Sequence, residues 1–130
     1  MANRMSLPLK GSLTPGITCL TGNWLFGGSG AVTVSAMGFS VGTLSASGGL
    51  QTVTLEDKYN ELLGVEITFV GDEDWSPFES TIVELTGEDV NGDRTISLRY
   101  IKSRAGTVQS HSNTDGKKAL CMIWLKNSGL

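Results

Sequence analysis

Histidine is almost missing from this chain, which holds one, His111, and cysteine occurs only at Cys19 and Cys121. A Cys/His metal site needs several such ligands at short spacing, and neither cysteine has a CxxC companion or a neighbouring histidine. His111 lies in the polar run SRAGTVQSHSNTDG with no signature placing an acid beside it, so no Ser-His-Asp arrangement is indicated. The glycine clusters GGSG and SGG lack the Lys-Ser/Thr of a phosphate loop and lead into strand-like segments, where no helix dipole would hold phosphate. Nucleophile-elbow and HExxH patterns are missing as well. These absences predict a protein without catalytic residues, metal or cofactor.

Positive charge is also scarce and scattered. Ten Lys/Arg stand against 13 Asp/Glu, for a net charge of −3 and no basic stripe, which argues against a nucleic-acid partner. No apolar run approaches the roughly 20 residues of a membrane helix, and MANRMSLPLK lacks the hydrophobic stretch of a signal peptide. We therefore expect no membrane partner and a chain made and kept in the cytoplasm. Cys19 and Cys121 read as buried reduced thiols; a disulfide would need the first and last strands to be adjacent.

What the chain does have is glycine, 17 residues of it without a three-residue period, and short apolar segments between the glycines. Hydrophobic residues make up 39% of 130 positions, enough for one core and too few residues for two ordinary domains. Period-two alternation recurs: Val65, Ile67 and Phe69 oppose Glu66 and Thr68, and Ile96, Leu98 and Tyr100 oppose Ser97 and Arg99. GITCLTG, NWLFGG, GAVTV, GFSV, LQTVTL and STIVEL are further strand candidates between turn-rich pieces. The expected fold is all-β, a single-domain antiparallel β-sandwich, jelly-roll-like or related, over residues 13–130, preceded by an extended N-terminal arm over 1–12. One short helical interruption is predicted in LEDKYNELLGV, where Leu55, Tyr59, Leu62 and Leu63 fall at helical spacing, with Asp57 as cap and Gly64 after the end.

Two stretches invite a sharper reading. In EDVNGDRTISLRY, Asp89, Asn91 and Asp93 alternate like calcium ligands, but Arg94 stands where an EF-hand needs Gly and Tyr100 where it needs Glu. The same residues read better as a hairpin with a type I′ turn at Asn91-Gly92. In GDEDWSPF the acids Asp72, Glu73 and Asp74 resemble a solvated loop tip, while Trp75 and Phe78 suit either a lid on the sandwich or a contact surface. The run Ala119 to Leu125 is continuously apolar, which predicts a strand covered on both faces: a central core strand that is partly an oligomer interface, Trp124 included. The first residues, with Met5, Leu7 and Leu9, read either as a disordered end, the default for a terminus, or as an extended arm that grips a neighbouring subunit, which their apolar character suits better than a solvated tail.

The start MANRMSLPLKG, PGIT at 15–18, FGGSGAVTV at 26–34, VTLEDKYNELLGVEI at 53–67 and the closing WLKNS together resemble small virion proteins of tailed bacteriophages, of the head decoration or cement type. The resemblance implies a β-rich, oligomeric, non-enzymatic protein on the capsid surface, assembled in the host cytoplasm. Its partners would be the major capsid protein and itself, as a homotrimer or homodimer. It transfers no functional residue, so the interface candidates Met5, Leu7, Leu9, Trp75, Phe78 and Trp124 rest on the physical reading. The alternative from another class is a receptor- or carbohydrate-binding module of a phage tail or fibre, with Trp75, Phe78 and the polar loop from Gln109 to Asp115 as platform.

Overall fold

The structure is a computed structural model that describes residues 5–6, 16–27, 31–45, 48–70, 79–104, 107–110 and 117–126, the positions 5–6, 79–81, 102–104 and 107–110 by backbone alone. Ten strands follow one another: β1 Met5–Ser6, β2 Ile17–Phe26, β3 Val32–Ala36, β4 Phe39–Val41, β5 Leu50–Leu55, β6 Glu61–Val70, β7 Glu79–Asp89, β8 Thr95–Arg104, β9 Thr107–Ser110 and β10 Lys118–Lys126. They form two packed antiparallel sheets. In the first the order is β1-β2-β10-β6, with β3 also on β2; in the second it is β4-β5-β8-β7, with β9 also on β8. The expected all-β sandwich is the fold.

Alternation in the sequence becomes the core directly. Ile96, Leu98 and Tyr100 of β8 are buried, Val53 and Leu55 of β5 face them, and Leu20, Trp24 and Phe26 of β2 close from the other sheet. Aromatic rings set the inner contacts: Tyr100 meets Phe26 edge-on at 5.9 Å and Phe69 at 5.5 Å, and Trp24 meets Phe39 edge-on at 6.5 Å. The Tyr100 hydroxyl donates to Gln51 Oε1, and Gln51 Nε2 donates to the Gly42 carbonyl at 3.0 Å, so both polar side chains are partnered inside the core.

GITCLTG and NWLFGG are one strand, β2, rather than two. Gly22 is not a turn between them but a close approach: a Cβ there would lie 2.7 Å from both Ala36 Cβ and Phe39 Cζ. Such an interior strand glycine marks a neighbour packed onto its backbone. At Met37 and Gly38 (φ 86°) the chain then leaves the first sheet for the second, since β3 pairs with β2 and β4 with β5.

The helical turn expected in LEDKYNELLGV does not exist. β5 runs to Leu55 and β6 starts at Glu61, and the bend between them is held to three different elements: Glu56 N–H donates to Gly38 O, Tyr59 N–H to Val90 O and Asn60 N–H to Lys126 O. A few residues cannot offset the cost of helix nucleation when the β3–β4 corner, the β7–β8 turn and β10 already accept their amides. Tyr59 fills the core, and Gly64, read as a helix cap, sits inside β6 opposite Trp124, where the register shifts by one residue.

The β7–β8 hairpin is present, but its turn differs from the type I′ prediction. Positive φ falls at Arg94 (64°), not at Asn91 and Gly92. Asp89 organises the loop: its carbonyl accepts from Arg94 N–H at 2.8 Å and its carboxylate from Asp93 N–H at 2.8 Å. A Cβ at Gly92 would lie 2.6 Å from Asp89 Oδ1, so a side chain there must displace the carboxylate that organises the turn. The carboxylate that suggested a calcium ligand thus braces a turn.

Candidate functional site: the outer face of one sheet

β10 is a central strand, paired with β2 on one side and β6 on the other. Its burial alternates: Ala119, Cys121, Ile123 and Leu125 enter the core, while Lys118, Leu120 and Met122 point outward and Trp124 is half-buried on that outer side. The continuous apolar run was expected to be covered on both faces. In the single chain only one face is covered, because the second sheet packs against one side alone.

The neighbouring strands extend the apolar outer face. Leu25 (47% exposed) and Val70 (48%) flank Lys118 in register, and Leu120 (41%) and Met122 (37%) occupy the middle. Around Leu120 and Met122 the side chains of Thr21, Asn23, Glu66 and Thr68 line a shallow depression of about 530 Å³. The outer face of the other sheet is built differently: Thr52, Ser97 and Arg99 lie across β5 and β8, and Arg99 donates through Nε to Glu84 Oε2 of β7 at 3.0 Å. Such a half-exposed ion pair contributes little stability but keeps that surface hydrated. Exposed apolar side chains occur on that face too, at Leu50 and Ile82; what distinguishes the first sheet is that Leu25, Val70, Leu120 and Met122 gather on and beside one central strand.

A second concavity lies along the long side where β6 and β7 are both edge strands. Val65, Ile67, Phe69, Val83, Leu85 and Leu98 line it, with a volume of about 870 Å³. Among the described residues this side leaves the core partly open, whereas the opposite side is crossed by the β3–β4 corner.

Of the six interface candidates, the structure brings two positions to one row. Met5 pairs with Cys19 and Cys19 with Trp124, so β1, β2 and β10 place them side by side. The backbone of Met5–Ser6 is thus joined to this chain's own first sheet. Leu7, Leu9, Trp75 and Phe78 lie outside the described residues, as do His111 and Asp72 to Asp74. Leu25, Val70, Leu120 and Met122 were not singled out from sequence. The signal for Leu120 and Met122 was in the apolar run; Leu25 and Val70 look like ordinary strand ends until the register places them beside it.

Both cysteines are free and buried. Cys121 points inward opposite Gly22, and Cys19 pairs with Trp124 on the outer side, so the two thiols lie on opposite faces of the sheet and do not pair. Burial raises both above the ordinary thiol value, Cys121 to about 12, with the charge of the other thiol a lesser cause for Cys121 and Glu66 for Cys19. Among the described residues no cluster of three His, Cys, Asp or Glu could hold a metal ion, and no helix is long and apolar enough to cross a membrane. Comparison with known proteins found no family model, no curated protein and no solved structure that matches this chain.

Proposed function

We propose that the protein is a non-enzymatic structural component that works by binding other protein surfaces, and that it reinforces a phage head as a homo-oligomeric cement protein on the capsid exterior. The observation that carries the binding part is the apolar outer face of the first sheet, with Leu25, Leu120, Met122 and Val70 exposed on a rigid sandwich. Exposed apolar side chains gathered along one strand, bordered by Thr21, Asn23, Glu66, Thr68 and Lys118, suit an interaction surface with a polar rim. The capsid part draws on the sequence resemblance to tailed-phage decoration proteins. Each copy would bridge adjacent shell subunits, so that rupture of the shell must break added contacts, and repetition over many copies turns modest individual contacts into a strong clamp.

The test is co-sedimentation of the purified protein with heads lacking it, with copy number read from the same gradient fractions. Saturable binding at a stoichiometry near that of the major capsid protein is expected. No binding, or a handful of copies per particle, would overturn cementing in favour of a tail or glycan-recognition role. Removal of residues 1–12 is expected to lower head retention; unchanged retention and oligomer mass would remove the arm from the contact.

A further inference from the structure

Resting on the reading that this face is an assembly surface, we infer that its occupant is a second copy of the chain. The two copies pack sheet on sheet about a two-fold axis that lies in the interface and crosses β10 near Leu120. Two unanswered charges define the arrangement. Glu66 stands beside Met122 and Lys118 four residues away along β10, both on the outer side, and neither forms an ion pair with another described residue. Lys126, at the other end of the row, has Glu61 as its register partner on β6, whereas Lys118 has only Leu25 and Val70 beside it. A cation between two exposed apolar side chains, and an anion beside Met122, are each costly to cover with an apolar partner and well matched to each other.

The spacing closes under two-fold symmetry. Glu66 lies one strand over from Lys118 and four residues along, about 5 Å by about 13 Å in the plane of the sheet. An axis on the perpendicular bisector of that line brings Glu66 of each copy to Lys118 of the other. It also sets Leu120 against its own mate and carries Trp124 over the second copy's Leu25, so that apolar groups meet apolar groups. The strands of the two copies then cross at about 40°, near the roughly 30° of aligned sheet packing. Because the axis lies near the Lys118 end of β10, only that half of each sheet overlaps the other, a strip of about 18 Å across four strands, or a footprint of about 350 Å² on each copy. The pair together buries about 700 Å², the size of a weak, concentration-dependent contact rather than of an obligate dimer.

Sedimentation equilibrium of the full chain reads the outcome as mass. Wild-type protein is expected to rise towards twice the 13.8 kDa chain mass as its concentration is raised into the millimolar range. Glu66→Lys and Lys118→Glu, both at exposed positions, should each weaken dimerisation at least tenfold, and the double exchange should restore it. Leu120→Cys should be joined to its mate by a short bifunctional maleimide that spans the ~10 Å between packed sheets, while Thr54→Cys on the other sheet should not. A monomeric or trimeric wild type, a double exchange no tighter than the single ones, or equal cross-linking at both cysteines would overturn the proposal. A monomer that still saturates heads would refute this pairing and leave the cementing role standing; a dimer that ignores heads would do the reverse.

Discussion

Gly22 shows how much a single missing side chain can carry. Its Cα faces Ala36 and the Phe39 ring so closely that a methyl group must displace one of them. Gly22→Ala should therefore destabilise the fold by roughly 1–3 kcal/mol, the usual cost of overpacking, and the shift of the urea midpoint measures it. The cysteines give a second prediction at this scale. The folded Cys121 thiol holds its proton to about 12, above its ordinary value of 9.0, so the stability tied to that proton is complete below about 9 and is lost as pH climbs from there towards 12. Native protein at pH 8 should leave an aromatic disulfide reagent unreacted at both thiols, and both should react once urea unfolds the chain. Rapid native labelling of Cys121 would contradict its burial. The sequence predicted buried thiols correctly, but whether they pair depended on strand register, which no local pattern encodes.

At the scale of elements, alternation was readable wherever one face meets core and the other water, as in β6 and β8. It failed in LEDKYNELLGV, where helical spacing of Leu55, Tyr59 and Leu62 arises because the chain crosses between sheets and Tyr59 must reach the core from a bend. Nothing local announces that Gly38, Val90 and Lys126 accept the amides of that bend. The β7–β8 turn was legible as a turn, but its type was decided by the Asp89 carboxylate and by the left-handed backbone of Arg94. Arg94→Val should lower stability by about 1–2 kcal/mol, since a β-branched residue fits positive φ poorly, whereas Arg94→Asn should change it by less than about 0.5 kcal/mol. Chemical denaturation of the two variants side by side separates backbone strain from loss of the Arg94 Nη1 bond to Glu56 O, which both remove. β10 taught the complementary lesson: its apolar run announced an unusual strand, but only its place between β2 and β6 shows which residues remain outside.

For the whole molecule the governing fact is that β2 and β10, near opposite ends of the described chain, are neighbours along their full length. Contacts of such sequence separation must wait for a large loop to close, so refolding should take milliseconds to seconds, as stopped-flow tryptophan fluorescence would show. Microsecond folding would mean that the core forms from local hairpins first. The same pairing also decides how the domain bears load. Ile17 sits beside Lys126 while Phe26 lies at the far end of the same ladder. Force applied between residues 17 and 126 peels the two strands apart one hydrogen-bonded rung after another; force between 26 and 126 loads every rung together in shear. A single-molecule pulling experiment should find the second geometry markedly stronger. A shell reinforced by this sandwich would then resist stretching along the strands far better than lifting at the end where residues 17 and 126 meet.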